Sequence, residues 1–244
     1  MSGEDLARLL KSAPASGKAK AQALLPNMNV VLRKYGIADT RLRVTHFLAQ
    51  VAHETGWWRY REEGGSPRYW RTMYEEITAA EAAEDYRLGD AQKMGLVKVG
   101  ETEIAYANRR PGVVATKALG LGNGAASAST GGRTGDGVRF RGRGFLQITG
   151  RSNYVNYGQF RGRDFTTEPE NEKLSVSDFN VCDTAGFYWA RQKINGTADA
   201  GFTSAEISRV GGAVNRGSTS QIALHNAERL ATFTQIWTLA NDRS

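Results

Sequence analysis

HFLAQVAHETG, residues 46–56, is the stretch whose reading decides the fold, because it sets a single carboxylate at the end of an otherwise uncharged helical run. Val44, Phe47, Leu48 and Val51 recur at helical spacing and make one apolar stripe. Upstream, YGIADT breaks the pattern: Gly36 stops a preceding helix, and Asp39 or Thr40 can cap this one. Gly56 can end it. On a helical wheel at about 100° per residue, Glu54 falls beside Phe47 on the border of the stripe, while His46 and His53 point away. Glu54 is therefore expected to be partly desolvated, and burial favours the protonated form of a carboxyl.

Outward from this helix, Trp57 to Trp70 is dense in aromatics and arginine, and residues 72–95, TMYEEITAAEAAEDYRLGDAQKMG, read as charged surface helices. A glycine-rich loop spans 120–137. It leads into RFRGRGFLQITGRSNY, residues 139–154, where Phe145, Gln147 and Thr149 alternate with Leu146 and Ile148, the pattern of a short extended segment. Helical spacing returns in SDFNVCDTAGFYWARQKI, SAEISRVGGAV and SQIALHNAERLATFTQIWTLA. The predicted class is mostly α, one domain over residues 1–244, with the glycine-rich loop placed to separate two lobes. There is no internal repeat, and no separate binding module is expected.

The hydrophobic class makes up 40% of the 244 residues and charged residues 23%, a balance that predicts a folded chain. A formal charge of +7 attracts a polyanion: nucleic acid, an acidic cell wall or an anionic membrane surface. Cys182 is the only cysteine, so no internal disulfide forms. The first residues carry Glu4 and Asp5 where a signal peptide wants positive charge, and no segment reaches the length of a membrane span. An activity outside the cytoplasm would then need separate delivery.

Several chemistries are excluded by spacing. The zinc motif HE-x-x-H fails because position 57 is Trp, so no metal is expected. Cys182 lies in an amphipathic stretch and reads as a structural core thiol. There is no G-x-S-x-G elbow, and neither GRGFLQ nor the glycine-rich loop completes a nucleotide-binding motif, so no cofactor is expected. Seven arginines between Arg133 and Arg163 alternate with aromatics, a pattern that suits single-stranded nucleic acid as well as a plain basic face; no nucleic-acid partner is expected. Paired carboxylates remain. Cutting a glycosidic bond takes one protonated acid and one ionised carboxylate, and Glu54 suits the first role. Glu62 and Glu63, after the aromatic run WWRYR, are candidates for the second.

HFLAQVAHETG and FRGRGFLQITGRSNY together resemble the family 19 glycoside hydrolases, which comprise plant-type chitinases and lysozyme-like endolysins. Further similarity lies in LLPNMNVVLRKYGI, YANR, LGNG, TGDG and CDTAGFYWARQKINGTAD, so the likeness covers about residues 20 to 235. It implies a lysozyme-like, two-lobed helical domain with a short β-hairpin or extended segment at a cleft. It implies that Glu54 is the general acid and Glu63, nine residues on, the general base of an inverting reaction, with Glu62 in reserve. Thr134, in TGDG, matches the hydroxyl that holds the attacking water. Gln147, Asn153 and Tyr154 match substrate-contacting positions of the GRG motif, Asn215 the Asn of a late NGG-like motif, and Arg229 an arginine near the acid. VGGAVNRGST departs from that late motif, PGVVATKALG looks inserted, and EEGGSPRYW departs from the usual sequence after the base. The expected substrate is the peptidoglycan glycan strand, or chitin as the alternative; an inactive glycan-binding or nucleic-acid-binding protein is the alternative of another class. The expected setting is a monomer acting in the periplasm or wall, released through a holin or injected by a secretion system and countered by an immunity protein.

Overall fold

The computed structural model describes residue 7 and residues 15–75, 77–110 and 135–241. Its helices, in chain order, are α1 (Ala15–Lys34), α2 (Arg41–Glu54), α3 (Pro67–Tyr74), α4 (Ala79–Arg87), α5 (Asp90–Lys93), α6 (Glu103–Arg109), α7 (Asp136–Arg139), α8 (Arg151–Arg161), α9 (Lys173–Val176), α10 (Asp178–Arg191), α11 (Ile194–Ala198), α12 (Ser204–Arg216) and α13 (Asn226–Asn241). The mostly helical class read from the sequence holds. Among the described residues, β-structure is confined to the isolated bridges Glu62↔Arg143 and Arg143↔Ile148. The predicted extended segment shrinks accordingly, because residues 144–147 form a turn and Phe145, Leu146 and Ile148 are all buried.

The described chain forms two compact units. The first comprises residues up to Glu62, Arg143–Ile148 and Glu172 onward; the second comprises Glu63–Gly142 and Thr149–Asn171. In the first, α1 packs on α10 and α2 on α13 around Leu24, Met28, Val31, Phe47, Trp189 and Phe233. Thr40 is the cap of α2, its hydroxyl accepting from Arg43 N at 3.1 Å. His46, placed away from the Phe47 stripe on the helical wheel, is nevertheless not exposed to solvent. It is fully buried against Phe233 of α13, with ring centroids 4.5 Å apart. A second apolar partner covers the face that a single stripe would leave wet. Cys182 is buried in this core, as predicted, and burial pushes its thiol pKa up.

The second unit is built of shorter helices. Residues 72–95, read as surface helices, split among α3, α4 and α5, with a capping box of Thr78 and Glu81 starting α4. A buried Asp85 locks α4 to α3 through Arg68 Nη2 at 2.6 Å and Thr72 Oγ1 at 2.8 Å. No helix among the described residues is long and apolar enough to cross a membrane.

Candidate active site

Glu54 is the last residue of α2 and its side chain keeps 26% exposure. Its Oε1 accepts a hydrogen bond from Arg229 Nη2 at 2.6 Å. Oε2 has no hydrogen-bond partner among the described residues. Arg229 is 2% exposed and each of its three guanidinium nitrogens is engaged: besides Nη2, Nη1 donates to Gln50 Oε1 at 2.6 Å and Nε to Leu224 O at 3.0 Å. Asn215 Oδ1 in turn accepts from Leu224 N at 3.0 Å. Asn215 thus braces the peptide segment that orients Arg229, which orients Glu54.

The turn after Glu54 is strained. Trp57 and Trp58 both have left-handed backbone, with φ of 61° and 69°. Thr55 pins them: its hydroxyl donates to Val51 O at 2.7 Å and accepts from Trp58 N at 2.8 Å. The aromatics that follow have different fates. Trp58 is buried against Phe145 and Trp57 packs on the core, whereas Tyr60 is 58% exposed under the Arg59 guanidinium. Tyr60 is the one of the three free to present a ring to a sugar.

Two histidines neighbour the acid. The rings of His53 and His225 lie 6.3 Å apart, and His225 Nδ1 is 3.7 Å from Glu228. Burial, and after it the Arg229 charge, lowers the His53 pKa. Tyr188, raised by burial and then by the charge of Glu54, stays a phenol.

Glu63 belongs to the second unit. Tyr74 Oη donates to its Oε1 at 2.7 Å and Gly142 N to its Oε2 at 3.1 Å, while Glu63 N donates to Gly142 O at 2.7 Å. Tyr69 lies near enough for burial first, and then the charge of Glu63, to raise the pKa of its phenol. Glu62, one residue earlier and in the first unit, is engaged differently. Its Oε2 lies 3.6 Å from the buried Arg143 Nε and accepts from Ser175 Oγ at 3.2 Å. That ion pair ties the end of the WWRYR run to the GRG turn.

The GRG turn explains its own glycines. Gly144 has φ of 81°, and a Cβ there would lie 1.9 Å from Thr184 Oγ1, so only glycine lets the turn dock on α10. Phe145 N donates to Val181 O at 3.1 Å as part of that docking. Gln147 sits exposed at the tip with φ of 37°. Asn153 is half-buried and donates to Thr149 O at 2.7 Å. Tyr154 is fully buried, its hydroxyl donating to Arg141 O at 2.7 Å, which makes it an internal brace of the second unit. Thr134 lies outside the described residues.

The arginine-rich stretch is largely consumed within the fold. Arg141 lies over the Trp70 ring at 4.7 Å, Arg143 pairs with Glu62, Arg151 with buried Asp136 at 2.5 Å, and Arg163 with Glu170. Arg161 donates to Tyr157 Oη at 2.9 Å. For Arg141 and Arg143 the partners, Trp70 and Glu62, are distant in the chain, so sequence spacing displays these two charges as part of a stripe. Among the described residues no group of three or more His, Cys, Asp or Glu is arranged to hold a metal ion.

No family model matches the chain. A Haemophilus influenzae protein named as containing a glycosyl hydrolase family 19 domain is 33% identical over 155 residues, which is 61% of this chain and 62% of that protein. The aligned region thus spans under two thirds of the relative. Two solved structures share the fold: a chitinase C mutant, with 17% identity, a TM-score of 0.51 and coverage of 98% of this chain and 92% of that one, and chitinase C from Streptomyces griseus, with 18% identity, 0.50, 98% and 76%. The two structures show the shared fold, and the name of the sequence relative agrees with the family 19 resemblance seen in the motifs.

Proposed function

We propose that the chain is an inverting glycoside hydrolase that cuts the glycan strand of peptidoglycan, with Glu54 as general acid and Glu63 as general base. The observation that carries the reading is the setting of Glu54: one oxygen is fixed by a buried guanidinium and the other is without a partner among the described residues. Proton donation leaves a negative charge on the acid, and Arg229 stands ready to stabilise it, so the interaction strengthens as the bond breaks. On this reading Glu63 takes a proton from water held also by the Thr134 hydroxyl. Inversion requires the two carboxyl groups to stand about 6.5–9.5 Å apart, leaving room for that water. Gln147, Asn153 and Asn215 are the proposed substrate contacts, with Tyr60 as a ring against a sugar face.

Peptidoglycan carries carboxylates, and a chain of charge +7 is drawn to it in a salt-dependent way. Chitin is neutral. The second reading, a chitinase, is favoured by the structures sharing the fold, which are chitinase C proteins. Mass spectrometry of products from purified sacculi, beside those from chitin oligomers, decides between them. Muropeptide release is the expected result, and products from chitin alone would reverse the order of the readings. Under the leading reading the enzyme works as a single-domain monomer, reaching the wall through holin-dependent release or a secretion machine with an immunity protein as antidote.

A further inference from the structure

We propose that Tyr74 is a positioning residue for Glu63, fixing the plane of the carboxylate that takes the proton from the attacking water; this rests on the reading of Glu63 as the base. The contact is built from several directions. Ser66 caps α3, accepting from Tyr69 N at 3.2 Å, and Pro67 sets its first turn. Trp70 is buried, and the Arg141 guanidinium over its ring fastens the helix to the segment that ends in Gly142. The helix therefore delivers Tyr74 Oη to Oε1 at 2.7 Å while the same segment delivers Gly142 N to Oε2 at 3.1 Å. With both oxygens held, rotation about the last side-chain bond is blocked, and each oxygen keeps a lone pair for water.

Tyr74 is suited to be a permanent donor. Burial first, and then the charge of Glu63, pushes its hydroxyl pKa well above the usual phenol range, so it never competes for the proton. Among the described residues of this unit, few groups face Glu63. From α3 they are Tyr69 and Tyr74, and from the segment after α7 the Gly142 N–H; the Arg141 side chain there turns to the Trp70 ring and to Val138 O at 3.1 Å. Among the described residues no charged side chain is bonded to the Glu63 carboxylate, so the phenol is a principal donor.

Tyr74→Phe keeps the ring and removes the donor. Expected are a fall in kcat on the order of tenfold with little change in KM, and an acidic limb of the pH–rate profile displaced to higher pH, since a carboxylate that loses a donor holds a proton more readily. Carbon-13 NMR titration of the Glu63 carboxyl in the same variant reads the displacement without turnover, and Tyr69→Phe should move it in the same direction by less. An unmoved midpoint in both Phe variants overturns the role of Tyr74. Glu63→Gln is the separate control for the base itself: parental turnover in that variant overturns the reading of Glu63, whatever Tyr74 does to its titration.

Discussion

Around Glu54 the partner is a cation sealed from water; around Glu63 the partners are a neutral phenol and a backbone N–H. The difference follows the direction in which each proposed role moves charge. An acid that gives up its proton gains negative charge during the reaction, and a preorganised guanidinium stabilises that gain. A base begins negative and loses charge, so a full positive charge beside it would oppose the step, whereas neutral donors orient the group at a smaller electrostatic cost. The comparison makes the two carboxylates unequal before any substrate is present.

The largest test removes the acid. Glu54→Gln is nearly isosteric, and if Glu54 is the donor, turnover of sacculi should drop by about 10²–10⁴-fold, the usual range for general acid catalysis. The melting temperature should stay close to that of the parent. A variant that lyses walls at the parental rate would remove the basis of the comparison.

Next in size is the cation. Arg229→Met leaves Gln50 Oε1 and Leu224 O without their donor and Glu54 without its charge partner. Loss of one member of such a buried network should cost about 3 kcal/mol of stability, measured by chemical denaturation, together with a deep loss of turnover. The corresponding change at Glu63, removal of one phenol hydroxyl, should cost far less of both. Equal losses on the two sides would erase the distinction between charged and neutral support.

How much of this was legible depends on the range of the interactions. The α2 helix, its Thr40 cap and the border position of Glu54 rest on neighbours within a few residues, where periodicity and capping chemistry act. The burial of His46 was not legible, because Phe233 covers it from 187 positions farther along the chain, a span counted from the two residue numbers. Tyr74 carried no signal for the same reason: its meaning depends on where Gly142 returns beside Glu63. The arginine stripe left two readings open, because spacing alone does not show that Asp136, Glu170 and Trp70 engage Arg151, Arg163 and Arg141. Arg229 was visible only through the family likeness, and its three acceptors only through the structure.

A smaller effect sharpens the account of how Arg229 is aimed. Gly212 faces the segment that carries Leu224, and a Cβ added there would stand 2.0 Å from Gln221 O and 2.6 Å from Ser218 O, both backbone atoms. Gly212→Ala must push that segment away, at a cost of about 1–3 kcal/mol for overpacking. Within the fold, Asn215→Ala removes the hydrogen bond to Leu224 N, worth about 1 kcal/mol. If the segment serves Arg229, both variants should lose more turnover than their melting temperatures account for, Gly212→Ala the more. Activity that merely tracks stability would reduce Asn215 to a local brace.

The smallest effect concerns pH, and it too separates the two halves. All three histidines, His46, His53 and His225, lie in the unit that contains Glu54. Burial lowers the pKa of His46 and of His53 below the ordinary histidine value. His46 Nε2 is 2.8 Å from Gly201 O and is read as its donor, while Nδ1 is buried without a hydrogen-bond partner among the described residues, so the neutral ring is the form the fold accepts. A folded-state pKa below the unfolded one means that the unfolded chain binds the proton first. Stability from this source is complete above about pH 6.5 and declines as the pH falls from there toward the lowered folded values. Thermal melts between pH 7.5 and 5.5 should show a decline in the parent that is reduced in His46→Gln, whose side chain does not titrate. Hydrogen exchange at matched pH, corrected for its intrinsic rate, should place the added opening in α2 and α13 and leave the helices around Glu63 protected. An equal response in α3 and α8 would mean that acid acts through carboxylates common to both units, and the asymmetry would then be confined to the surroundings of Glu54 and Glu63.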